Sequence, residues 1–173
     1  MENNNRPIST LHDLLDYDAR NFIIAEIQLE KNLHNWINRA TSLQLKNVLQ
    51  KYLGFVQQHT RGLNEFYETE KIDSVSISNR IIQAFIDETN EKLSVCGDLE
   101  ITDACLIACI QVINHYKISA YGTASAFAYA LEMENKGSIF HQAEINEKQI
   151  DDRLSQLAEH EINARAKAPV VLP

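Results

Sequence analysis

Apolar residues return every three or four positions along four long stretches of this chain, and nowhere is an alternation of period two sustained. The first stretch, segment A, opens at Ser9 or Thr10, where Asp13 can complete a capping box, and runs to about Ala40. Its seam is Leu15, Ala19, Phe22, Glu26, Leu29, Leu33, Trp36 and Ala40. Thr41 or Ser42 caps segment B, which reaches about Glu68 along Leu45, Leu49, Tyr52, Val56, His59, Leu63 and Phe66. Segment C begins at a Thr102/Asp103 cap and runs to about Glu132, with Ile107, Ile110, Asn114, Lys117, Tyr121, Ala124, Ala128 and Leu131 on its seam. A second face of C, from Leu106 through Cys109 and Ile113 to Phe127, is also apolar, which predicts a helix buried on two sides. Segment D starts at Gly137-Ser138 and follows Phe140, Ala143, Glu147, Ile150, Leu154, Leu157 and Glu161 to about Ala164, after which the tail is expected to fray.

Between B and C, residues 69–101 are turn-rich or β-branched and flank a shorter amphipathic stretch at about Ser78–Leu93. Short A–B and C–D connections predict two antiparallel hairpins, and the long B–C connection lets C run parallel to B. That is the plan of an all-α, ferritin-like four-helix bundle with a short fifth helix in its crossover, in one domain over residues 1–173. The three prolines, at 7, 169 and 173, leave residues 8–168 uninterrupted.

Five residues break the apolar seams: Glu26 in A, His59 in B, Asn114 and Lys117 in C, and Glu147 in D. Each lies within about one turn of the middle of its segment, so a bundle of similar helices brings them into one layer. Burying a lone charge costs several kcal/mol, so such a layer persists only if its members satisfy one another or share an ion. A dinuclear carboxylate centre uses four Glu and two His. Here the donors are Glu26, His59, Glu147 and Asp151, one turn beyond Glu147, while Lys117 brings an ammonium that repels a second divalent ion. The composition favours an ion-pair network, in which Lys117 pairs with Glu26 and Glu147 while Asn114 and His59 satisfy the remaining oxygens. Buried Tyr52, Tyr116 or Tyr121 hydroxyls can add donors.

Charge and cysteine content narrow the partners. Sixteen Lys and Arg against 24 Asp and Glu leave a net charge of −8, the wrong sign for gathering phosphates, so nucleic acid is not an expected partner. No run approaches the roughly 18–20 apolar residues of a membrane span, and no export signal precedes the first segment, which together point to a cytoplasmic protein. The three cysteines, Cys96, Cys105 and Cys109, read as small reduced core residues. His115 reads as a helix-packing residue, and His12, His34, His141 and His160 as surface residues. No phosphate loop, Cys-x-x-Cys or His-Glu-x-x-His occurs.

The stretch DACLIACIQVINHYKISAYGT, with AEIQLEKNL in segment A, ATSLQLKNVLQKYL in B and NEKQIDDRLSQLA in D, resembles the YciF-like family of bacterial ferritin-like proteins over roughly residues 10–160. Asp103, Ala104, Leu106, Ile107, Gln111, His115, Tyr116, Ile118, Ala120, Tyr121, Gly122 and Thr123 carry the segment-C motif. The resemblance implies a five-helix ferritin-like bundle, a dimer, a di-metal site and an association with bacterial stress responses. The departures fall at acidic positions: Asn114 and Lys117 replace both glutamates of that motif, Gly54-Phe55 an acidic pair in B, and Asn146 an acid in D. Glu26, Glu147 and Asp151 remain. The leading expectation is therefore a non-catalytic bundle without a resident cofactor, associating as a homodimer. Its rival is an iron-, manganese- or zinc-binding protein with oxidase, peroxide-handling or storage activity, using Glu26, His59, Glu147 and Asp151. A third reading, an adaptor presenting a groove to a partner helix, rests on bundle physics alone.

Overall fold

A computed structural model describes residues 7–70 and 78–167, with the side chain of Glu70 left aside. The expected tail beyond residue 167 and the segment between 70 and 78 lie outside the described residues. The helices are α1 (Leu11–Arg39), α2 (Leu43–Glu70), α3 (Arg80–Val95), α4 (Leu99–Ala130), α5 (Glu134–Leu157) and α6 (Asn163–Lys167), the last two joined by a π-helical turn at Ala158–Ile162. No strand occurs among the described residues.

Cross-helix contacts fix the directions. Tyr67 meets Ala19 and Gln57 meets Glu30, so α1 and α2 are antiparallel. Ser125 meets Gly137 and Gln111 meets Ser155, so α4 and α5 are antiparallel too. Contacts of Glu26 with Lys117 and of Tyr52 with Glu147 set α1 beside α4 and α2 beside α5. Helices α2 and α4 run parallel across the diagonal, so the two hairpins and crossover have the arrangement that the connection lengths predict. Helix α3 lies in the groove between α1 and α4. It is fastened by Gln28 to Gln83 at 2.6 Å, Trp36 to Asn90 at 2.9 Å and Arg39 to the Leu93 carbonyl at 2.6 Å.

The seams face inward as the periodicity requires, with Leu15, Leu29, Leu33, Trp36, Leu45, Leu49, Tyr52 and Val56 fully buried. They build two apolar clusters. One holds Leu33, Trp36, Leu49, Ile110 and Leu154, and the other Phe22, Phe66, Ala124 and Phe140, whose rings meet edge to face. The polar layer lies between them.

The ends of the helices differ from expectation in three places. At α1 the capping box is as expected: Thr10 accepts from the Asp13 amide at 3.0 Å while Asp13 accepts from the Thr10 amide at 2.9 Å. Helix α4 begins earlier than the Thr102/Asp103 cap predicts, because Asp98 accepts from the Glu100 and Ile101 amides at 2.7 and 3.2 Å. Helix α2 is capped by Ser42, as expected, its hydroxyl accepting from the Leu45 amide at 3.3 Å, and Asp103 fastens the turn just before it. Its carboxylate takes the Thr41 amide and hydroxyl and the Ser42 amide at 2.7, 2.6 and 2.8 Å. Helix α5 starts at Glu134, before Gly137, after a tight reversal with Glu132 at φ 60°. Gly137 sits in its first turn because a Cβ there would stand 2.8 Å from the Tyr129 ring. Finally, the π-helical turn inserts a residue into the seam of segment D, so Ile162 is buried where Glu161 is expected, and Glu161 pairs with Arg165 at 3.0 Å.

Candidate functional site

All five seam-breaking residues converge. Glu26, Asn114 and Glu147 have no exposed surface, and Lys117 and His59 are buried beside them. The Lys117 ammonium stands between the two carboxylates, 2.8 Å from Glu26 Oε2 and 2.6 Å from Glu147 Oε1. His59 Nδ1 faces the same pair at 3.3 and 3.6 Å. The Tyr121 hydroxyl donates to Glu26 Oε1, and the Tyr52 hydroxyl donates to Glu147 Oε2 at 2.9 Å. Asn114 Nδ2 donates to the same oxygen at 2.6 Å, while its own Oδ1 finds no partner among the described residues. Lys117 also lies 5.1 Å above the Tyr52 ring and 5.9 Å from that of Tyr121, positions where the ring faces attract it.

Behind His59, Asn146 Nδ2 lies 3.2 Å from Nε2, and Asn146 Oδ1 accepts from Gln142 at 3.0 Å. With that amide nitrogen facing Nε2, the tautomer that fits carries its proton on Nδ1, toward the carboxylates. Sequence reasoning saw Asn146 only as a missing acid. Its signal was its place beside Glu147, one residue from the seam. Of the three tyrosines named as possible donors, Tyr52 and Tyr121 are in the layer, but Tyr116 is not; it packs half-buried on Phe85.

Asp151 stands apart from the layer. One turn beyond Glu147, it turns outward to His115 Nε2 at 3.1 Å and Gln111 Nε2 at 3.1 Å. His115 correspondingly joins α4 to α5 through a side-chain bond, as a hydrogen-bonded helix-packing residue would, but from the exposed surface. Among the described residues, the set whose ligand atoms lie within 4.8 Å of one another is Glu26, His59 and Glu147, without Asp151.

The electrostatics follow from burial and pairing. Burial, the largest influence on Glu26, pushes its carboxyl up, but the Lys117 charge and the bonds from His59 and Lys117 outweigh it and hold it at about 2. Burial likewise disfavours the charged Lys117, and the attraction of Glu147 and Glu26 reverses that, leaving it above the ordinary lysine value. Tyr52 and Tyr121 are pushed well up by burial and then by the nearby carboxylates, so both stay protonated donors. Two carboxylates and one ammonium thus share a volume closed by neutral donors. A cleft of about 420 Å³ between α2 and α5 reaches its edge at His59, Tyr121 and Asn146.

The model of a domain of unknown function, DUF892, matches residues 10–167. The chain belongs to that family. Within the family's range of relatives, protein YciF of Escherichia coli strain K12 is 24% identical over 161 residues, spanning 92% of this chain and 97% of its own. YcfI of Rhodopseudomonas palustris is 27% identical, with a TM-score of 0.82 over 87% of this chain and 96% of that one. The crystal structure of the Escherichia coli stress protein YciF superposes with a TM-score of 0.83, covering 90% of this chain and 99% of the other at 24% identity.

The di-metal centre that the family resemblance implies does not fit these residues. Two divalent ions need several bridging carboxylates, whereas the positions facing Glu26 and Glu147 hold an ammonium and an amide that donate to them. The Lys117 nitrogen occupies the point between the carboxylates where a bridging cation belongs.

Proposed function

We propose that this member of the DUF892 family is a non-catalytic helical bundle in which an internal ion-pair network takes the place of a resident metal, and that it works by association, as a homodimer in the cytoplasm under stress. Lys117 carries the reading. Its ammonium lies within 2.8 Å of both buried carboxylates, neutralising one charge and leaving a divalent ion only by expulsion of the lysine. The relative YciF is a stress protein and YcfI is described as a proposed structural protein, both in keeping with this role. No helix among the described residues is long and apolar enough to cross a membrane.

The second reading is an iron-, manganese- or zinc-binding protein, favoured by the mutual approach of Glu26, His59 and Glu147 within 4.8 Å. It requires Lys117 to leave the layer. Metal content by mass spectrometry, after incubation with ferrous, manganous and zinc ions and exhaustive desalting, separates the two. The network predicts no metal dependent on Glu26, and stoichiometric metal lost in Glu26→Gln overturns it. Sedimentation at micromolar concentration tests the homodimer, and a monomer throughout removes that part of the reading.

A further inference from the structure

Helix α2 carries Lys46, Lys51 and Arg61 but no acidic residue from Leu43 to Asn64, although the whole chain has a net charge of −8. Between α2 and the C-terminal end of α5 lies an open groove of about 530 Å³, a volume in the range of small-molecule sites. Its floor is apolar. Ile150 is fully buried there, and half-buried Val48 and Leu157 pack on the same core cluster. Its rim is basic, with Lys51 on one side and Arg153 and His160 on the other.

Neither Lys51 nor Arg153 is ion-paired among the described residues. Lys51 lies 5.3 Å from the centre of the Phe55 ring, and Arg153 reaches Gln156 Oε1 at 3.4 Å. Other exposed lysines do find acids: Lys92 pairs with Glu88 at 2.9 Å and Lys148 with Glu144 at 2.5 Å. The one acid lining the groove, Glu161, is held by Arg165 at 3.0 Å and by the Ser42 hydroxyl at 3.3 Å. The π-helical turn Ala158–Ile162 closes one end. It turns Ile162 into the core and sets His160 and Glu161 at the groove. Such turns recur at functional sites.

We propose that this groove binds a single-chain anionic amphiphile, of which a medium-chain fatty acid is the simplest. Its tail lies along Val48, Ile150 and Leu157, and its carboxylate meets Lys51 and Arg153. The planar fork of Arg153 matches the two oxygens of a carboxylate, and Lys51 adds a second positive charge. The apolar floor alone would suit a neutral ligand, and the basic rim alone an inorganic anion. Together they call for a tail and a negative head in one molecule. None of the five residues of the central layer lines the groove, so its occupancy is independent of what the layer holds.

The test is isothermal titration of the whole chain with decanoate, at low ionic strength and below the concentration at which decanoate forms micelles. One decanoate per chain is expected, bound at least about tenfold more tightly than decyltrimethylammonium, which has the same tail and the opposite charge. Octanoate should bind about fourfold more weakly than decanoate, the effect of two half-covered methylenes. Lys51→Gln with Arg153→Gln, both at exposed positions, should weaken decanoate at least about tenfold with unchanged helical circular dichroism. Absence of decanoate binding overturns the site, as does equal binding of decyltrimethylammonium. Undiminished decanoate binding in the folded double variant overturns it as well, since the ligand then sits elsewhere. If the double variant fails to fold, chemical-shift mapping on the unaltered chain decides: shifts centred on Val48, Lys51 and Leu157 support the groove, and shifts centred elsewhere overturn it. Sedimentation with phosphatidylglycerol vesicles without decanoate binding assigns the basic rim to a lipid surface and overturns the single-chain ligand.

Discussion

Two buried acids in this protein are stabilised in different ways. Asp103 accepts three hydrogen bonds from neutral groups, the Thr41 amide and hydroxyl and the Ser42 amide, at the open N-terminus of α2. Its donors are neighbours in sequence and arrive already oriented by the α1–α2 turn, and the positive end of the helix favours the charge. Glu26 draws its partners from two other helices: His59 from α2, and Lys117 and Tyr121 from α4. The first arrangement needs one local turn to form. The second needs the whole bundle, and each member is costly if another is missing.

The difference is sharpest on removing Lys117. Lys117→Met should leave Glu26 and Glu147 facing each other without a counter-charge and cost about 3–5 kcal/mol, lowering the melting temperature by roughly 10 °C. A variant melting within a degree of the parent would falsify the paired layer. Changing Glu26→Gln, Lys117→Met and Glu147→Gln together should recover most of the loss, because no charge is then stranded.

Acid titration probes the same layer without altering the fold by mutation. A carboxyl held at about 2 in the folded protein, against an ordinary value of 4.5, contributes stability that is present above pH 4.5 and is lost as pH falls toward 2. The loss from Glu26 is on the order of 3 kcal/mol. Denaturant midpoints across that range should fall with acid in the parent and much less in Glu26→Gln. Parallel curves for the two proteins would assign the acid sensitivity to other groups. Lys117, raised by its partners, works in the opposite sense: its contribution holds below pH 10.5 and is lost as pH rises beyond it.

The contrast also explains which features could be read from the sequence. The layer was legible because Glu26, His59, Asn114, Lys117 and Glu147 each interrupt an apolar seam, and helical periodicity then fixes where their side chains point. Tyr52 and Tyr121, which lie on the seams, were legible for the same reason, whereas Tyr116, on the second face of α4, was not part of the layer. Asp103 was misassigned because an acid near a helix start carries no mark of whether it caps that helix or fastens a neighbouring turn. Only the packing of α4 against the α1–α2 turn decides that. Asp151 has the spacing of a ligand, yet a step of four residues drifts around the helix, enough here for it to reach His115 on the outside. The burial of Ile162 in place of Glu161 depends on a π-helical turn that no residue in AEHEI announces.

Asp103→Ala tests the local arrangement and should cost less, about 2 kcal/mol. Thr41 is exposed enough for water to replace its lost acceptor, whereas the Ser42 amide is buried and is not so easily satisfied. The Ser42 hydroxyl still accepts from the Leu45 amide at 3.3 Å, so part of the cap survives. Chemical denaturation of the variant checks this, and a loss as large as that of Lys117→Met would erase the distinction between local and bundle-wide stabilisation.

Tyr52→Phe should have the smallest effect, about 1.5 kcal/mol. The change removes a hydroxyl that donates to Glu147 Oε2 at 2.9 Å and lies 3.4 Å from the Lys117 nitrogen, but it leaves the ring under that ammonium. Asn114 continues to donate to the same carboxylate oxygen at 2.6 Å, so Glu147 is not left bare. Tyr52→Phe combined with Asn114→Leu strips both donors. The pair should therefore cost more than the sum of the single changes, and the coupling measured in that double-mutant cycle reports how far the layer acts as one unit. Strict additivity would mean that Lys117 alone satisfies Glu147 and that the neutral donors add only separate, local bonds.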